Sequence, residues 1–193
     1  MAHEDIPFAG DKVALVVRGK ESPEHVPGKR AQHADCVRSQ GAPVGYFGED
    51  GEGNVYITTA VLIGVRGEVY DLGTFTRKRP YYVDASIARA YQLISTALVV
   101  RVTSAQASSF DDDWDQLTKD PGTFRLLGKN CSTRASGAFR HAGILQSGIP
   151  GLDTPDNLYR QLVAQRGDLC SSYSGYVGFT SAGGASFMHI EAP

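Results

Sequence analysis

Three cysteines and five histidines are the residues of this chain that do nucleophilic or proton-transfer chemistry near neutral pH. One cysteine is placed to use it. The stretch Leu126-Leu127-Gly128-Lys129-Asn130-Cys131-Ser132-Thr133 runs from an apolar pair through a glycine turn into a helical pattern. Ala135, Ala138, Phe139 and Ala142 share one face of that helix, and Cys131 lies one turn before Ala135 on the same face. A thiol at a helix start sits beside unpaired backbone N–H groups and the positive end of the helix dipole. Both favour thiolate, so Cys131 is a candidate nucleophile. Its ordinary alternative is a small buried core residue, the commoner fate of an isolated cysteine.

A nucleophilic cysteine needs a base that takes its proton and returns it to the leaving group. His3 belongs to a terminus expected to fray, and His25 to a Pro- and Gly-rich loop over Gly19–Arg30 expected to be solvated. His141 follows Cys131 on the same helix by ten residues, roughly 15 Å of rise, and cannot reach it. His33, upstream, and His189, downstream by 58 residues, both fall on strand patterns, and either could face the helix.

The elements that would carry these groups follow from periodicity. Lys12–Val17 is a buried strand. His33–Val37, a turn over Ser39–Pro43 and Val44–Phe47 form a hairpin. Alternation places His33, Asp35 and Val37 on one face and Cys36 on the other, and pairing across the turn brings the neighbourhood of Tyr46 opposite His33. Val55–Val65 and Glu68–Leu72 extend the sheet. Asp84 opens a helix with Ile87, Tyr91 and Ile94 on one stripe, and Ala97–Val102 returns as strand. Thr103-Ser104-Ala105-Gln106 is a capping box ahead of Phe110, Trp114 and Leu117. Asp111, Asp112 and Asp113 near that helix start read as a solvated, dipole-favoured face rather than a metal set. Thr154-Pro155-Asp156 starts another helix, and Tyr176–Thr180 with Phe187–Ile190 makes a terminal hairpin. The expectation is an α+β domain over residues 1–193, an antiparallel sheet packed against the cysteine-bearing helix.

Bulk properties narrow the function classes. A formal net charge of −2 gives no footing for nucleic acid or an anionic membrane. No segment has the length and apolarity of a transmembrane helix. Cys36, Cys131 and Cys170 are too scattered for a disulfide framework or a zinc site, and no cofactor motif is present. The opening Met-Ala-His-Glu-Asp-Ile-Pro lacks a basic region followed by an apolar run, so cytoplasmic synthesis without a signal peptide is expected.

The run Leu127-Gly128-Lys129-Asn130-Cys131-Ser132-Thr133, its small-residue helix and the later Thr154-Pro155-Asp156-Asn157-Leu158-Tyr159 resemble the circularly permuted branch of the papain-like, NlpC-type cysteine hydrolases. Lecithin:retinol acyltransferase-like proteins, with their Asn-Cys motif, belong to that branch. The resemblance covers roughly residues 31–47 and 123–163. It implies a permuted papain-like fold with Cys131 as nucleophile and His33, on an earlier strand, as base. The unpermuted order would use His189, but only four residues follow it, too few for a strand carrying an orienting group. The family adds a polar residue that orients the imidazole; the hairpin offers Tyr46, with Glu49 beyond it, where His, Asn or Gln is commoner. The resemblance further implies amide cleavage, with peptidoglycan peptides as the commonest bacterial substrate. It extends to the cell-wall amidase effectors of type VI secretion, which implies an antibacterial toxin delivered to a target-cell periplasm and blocked by an immunity protein. Acyl transfer, thioester hydrolysis and protein deamidation would use the same dyad. A non-catalytic binding domain of the same fold is the remaining alternative.

Overall fold

A computed structural model describes residues 3–27, 33–49, 63–146, 154–182 and 185–193. The strand expected over Val55–Val65 lies, up to residue 62, outside the described residues, as do parts of the Gly19–Arg30 loop and of the terminal hairpin's turn. Nine strands form one antiparallel sheet among the described residues: β1 (His3–Pro7), β2 (Lys12–Arg18), β3 (His33–Val37), β4 (Pro43–Gly48), β5 (Val65–Tyr70), β6 (Ser95–Arg101), β7 (Thr123–Phe124), β8 (Cys170–Ala182) and β9 (Ala185–Glu191). Their order is β1-β9-β8-β6-β2-β3-β4-β5-β7. His3 does not lie on a frayed end: β1 pairs with β9 from His3↔Glu191 to Pro7↔Phe187.

Among the described residues five α-helices accompany the sheet: α1 (Leu72–Lys78), α2 (Ala85–Ala90), α3 (Ser104–Lys119), α4 (Cys131–His141) and α5 (Pro155–Arg166). Helix α2 is shorter than its apolar stripe implied. Tyr91 is its C-cap and lies exposed, because the chain turns at Gln92 with φ 54°. Strand β2 is apolar at almost every position because both its faces are covered. Val13, Leu15 and Val17 pack under α3, α4 and α5 through Phe110, Trp114, Phe139, Leu158 and Leu162. Ala14 and Val16 face the opposite cluster, with Phe47, Phe75, Val177 and Met188. The acidic run of α3 is not simply solvated. Asp111 accepts from the Ser39 hydroxyl at 2.6 Å and pairs with Arg38, and Asp113 pairs with His141. These contacts tie the β3–β4 turn and the end of α4 to α3.

Helix α4 lies close against the sheet because its inner face is small: Ser132, Ala135, Ser136 and Ala138 are all buried. Its start is fixed by a reciprocal cap. The Asn130 side chain accepts from the Thr133 N–H at 3.1 Å, and the Thr133 hydroxyl accepts from the Asn130 N–H at 2.9 Å. A second bond from Asn130 Nδ2 to the Leu126 carbonyl, 2.9 Å, holds the preceding turn. Gly128, at φ +89°, supplies the left-handed residue that turn needs.

Candidate active site

The first residue of α4 and the first residue of β3 meet. The Cys131 thiol and the His33 imidazole are hydrogen-bond partners, and the backbone N–H of Ala34 also donates to the sulfur. The Ser132 hydroxyl lies 3.8 Å from it. Cys131 is 8% exposed, so its charge is set by these neighbours rather than by bulk water. Burial pushes the thiol up, but the His33 charge and hydrogen bond, the Ala34 N–H and Ser132 outweigh it and hold the thiol below its ordinary value. Burial opposes the imidazolium, yet the Cys131 and Asp35 charges push His33 up to about 10. Both shifts run toward the thiolate–imidazolium form of the pair.

Asp35 is the group that sequence reasoning placed on the face of His33 without assigning it a role. Two residues along β3, its Oδ1 lies 2.8 Å from His33 Nε2, which leaves Nδ1 for the thiol. The ring N–H is turned off the line to the oxygen, so this contact is an ion pair rather than an aligned hydrogen bond. Burial pushes the Asp35 carboxyl up; the His33 and Arg18 charges overcome it and keep it below the usual carboxylate range. The signal that could have found Asp35 was the period-two pattern of β3, which puts positions 33 and 35 side by side.

Tyr46 is not brought to the imidazole. The hairpin register is Asp35↔Gly45, so continuing the pairing sets Phe47, not Tyr46, opposite His33. One residue of register moves a side chain to the other face. Tyr46 points under α4, where its hydroxyl donates to the Pro121 carbonyl at 2.8 Å and Arg134 lies over its ring. Phe47 stacks on the imidazole instead, with centroids 4.2 Å apart and planes at 16°. Tyr82 also stacks on the imidazole, its centroid 5.7 Å away.

His189 is not brought to Cys131. It lies on β9, four strands from β3 and so roughly 19 Å away across the sheet. Its ring covers Gly178 of β8, where an added Cβ would come within 2.2 Å of Nε2. His25 is half-buried and accepts from the Glu21 N–H. All three cysteines are free, Cys36 and Cys131 buried and Cys170 half-buried. Among the described residues, no three His, Cys, Asp or Glu side chains gather as a metal set, and no helix is long and apolar enough to cross a membrane.

The start of α4 also leaves backbone donors without helical partners. The Asn130 cap takes the N–H of Thr133, the third helical residue, so the Cys131 and Ser132 N–H groups have no partner within the helix. Amides in that position can hold an oxyanion formed at the sulfur.

No protein-family model matches the chain, and no curated protein matches it significantly. Among solved structures it is similar to the crystal structure of the type VI secretion system effector TseH. The identity is 12%, over 84% of this chain and 98% of that one, with a TM-score of 0.48. A likeness of this degree carries no statement about chemistry.

Proposed function

We propose that residues 1–193 form a single cysteine hydrolase domain of the permuted papain-like, NlpC type, cleaving an amide bond. The observation that carries the proposal is the buried Cys131–His33–Asp35 row, with the sulfur at a capped helix start. The Cys131 thiolate attacks the carbonyl carbon and the oxygen becomes an oxyanion beside the Cys131 and Ser132 N–H groups. As the C–N bond breaks, the His33 imidazolium gives its proton to the departing amine. Water then adds to the thioester, His33 takes a proton from it, and the carboxylic acid leaves as the thiolate returns. Asp35 holds the imidazole's orientation and its charge throughout, without taking the proton.

Peptidoglycan peptides are the proposed substrate, as the resemblance of the Asn-Cys segment implies. That resemblance also carries the proposed delivery to a periplasm and the immunity protein that would block the site. The test uses iodoacetamide at neutral pH, followed by mass spectrometry. Cys131 should be modified at least tenfold faster than Cys36 and Cys170, and His33→Ala should abolish the difference. Purified muropeptides should yield fragments with the wild type and none with Cys131→Ala. Equal labelling of the three cysteines would leave a binding domain of the same fold as the reading.

One observation favours a second reading, transfer or hydrolysis of an apolar acyl group. Leu127 is 75% exposed and Leu126 is 42% exposed on the turn leading into the helix that Cys131 opens, an apolar tip close to it in the chain. Thiol-dependent turnover of a long-chain acyl ester, with muropeptides left intact, would select this reading.

A further inference from the structure

Behind the row stands a fourth buried charge. Arg18 is the register partner of His33 across β2 and β3, and its side chain is 1% exposed. Its Nε donates to Asp35 Oδ2 at 2.7 Å. Its NH2 group donates to the Tyr82 carbonyl at 2.8 Å, and the guanidinium lies 4.6 Å from the centre of the Tyr82 ring. The two carboxylate oxygens are thus divided: Oδ2 belongs to Arg18 and Oδ1 faces the imidazole. Gly45 leaves the space for this, since an added Cβ would sit 2.3 Å from Oδ1.

We infer that Arg18 is a positioning residue for the thiolate–imidazolium pair, acting through Asp35. The inference rests on the cysteine-hydrolase reading. A carboxylate buried beside a single imidazolium would be free to rotate or to take up a proton. The guanidinium removes both options, by filling one oxygen in a fixed geometry and by supplying a charge that does not titrate. Its second bond fixes the turn bearing Tyr82, whose ring stacks on His33 and tilts against Phe47. The four groups alternate in sign from sulfur to guanidinium, so the buried row carries no net charge. The other ionisable groups facing it are the Tyr82 hydroxyl, which burial and the Asp35 charge push up, and Arg79, which lies over the Phe47 ring. Cys36, on the other face of β3, is pushed up by burial and by the charge of Asp35.

The experiment measures the rate of Cys131 alkylation against pH in the full chain, with thermal unfolding alongside. The wild-type midpoint should lie below that of a free thiol. Arg18→Met should raise it by about one pH unit, and Arg18→Lys, whose ammonium cannot span both partners, by an intermediate amount. In an Asp35→Asn background, Arg18→Met should move the midpoint no further, because the two residues act as one unit. That double variant also removes both buried charges and keeps the comparison open if Arg18→Met alone does not fold. A midpoint unchanged in Arg18→Met or Arg18→Lys, with only the melting temperature lowered, overturns the role and leaves the hydrolase reading standing. A wild-type thiol titrating like free cysteine overturns both.

Discussion

His33 sits between the Cys131 sulfur and the Asp35 carboxylate, and its proton affinity depends on each. Burial alone would discharge it; the Cys131 thiolate is the largest influence in the other direction, followed by Asp35. In Cys131→Ala the His33 pKa should therefore drop from its raised value by at least one pH unit, followed by imidazole NMR across pH 5–11. An unmoved titration would mean that sulfur and imidazole are not in contact. The sequence already held both residues, since a cysteine at a helix start and a histidine on an early strand are local patterns. Asp35 was equally visible as a residue. Its role was not, because the partner of an imidazole depends on which way each strand faces.

Between elements, the β3–β4 register decides what surrounds the imidazole. Asp35↔Gly45 pairing puts a residue without a side chain where the carboxylate needs room. In Gly45→Ala the new Cβ would meet Asp35 Oδ1 at 2.3 Å and Phe75 Cζ at 2.9 Å. Thiol alkylation at neutral pH should slow about tenfold and stability should fall by about 1–3 kcal/mol, the usual cost of overpacking. Gly67→Ala is the control: its Cβ would strike the Tyr46 hydroxyl at 2.2 Å. That variant should lose comparable stability in chemical denaturation yet keep its thiol reactivity, because Tyr46 lies on the opposite face from His33. Equal loss of reactivity in both would return Tyr46 to the site. The hairpin itself was legible from alternation and its turn. Its register was not, since a one-residue slip preserves the pattern of strand and turn while exchanging Tyr46 for Phe47.

Across the whole molecule, a second buried pair ties helix α5 to the end of β2. Lys20, fully buried, donates to Asp156 Oδ1 at 2.8 Å and lies over the Tyr159 ring, while Arg160 holds the other carboxylate oxygen. Burial pushes Asp156 up, and Lys20 and Arg160 more than reverse this, leaving it lowered. Asp35 is lowered as well. A carboxylate depressed in the folded state adds stability above its unfolded value of about 3.9, and that stability is lost as pH falls through the folded value. Unfolding free energy should therefore fall steeply below about pH 4. Lys20→Met should cost about 3 kcal/mol at pH 7, the low end for a broken buried pair because Arg160 remains, and should flatten that acid slope. Urea titrations of both proteins between pH 3 and 7 check it; parallel slopes would show that the Lys20 pair contributes nothing to acid sensitivity.

What the chain's order of residues determined unaided was local: strand and helix periods, the Thr103 and Thr154 caps, the buried β2, and a cysteine where a helix begins. These depend on neighbours within a few residues, so spacing reveals them. Tertiary structure alone decided that β9 lies four strands from β3, which separates His189 from Cys131, and that Arg18 joins Asp35 and His33 on their buried face. It also decided the pairing of the amino-terminal strand with the last one. Strand order and register join residues far apart along the chain, and their energies depend on which side chains meet across a ladder. A linear pattern records which face a residue can take, and only the assembled sheet says what waits there.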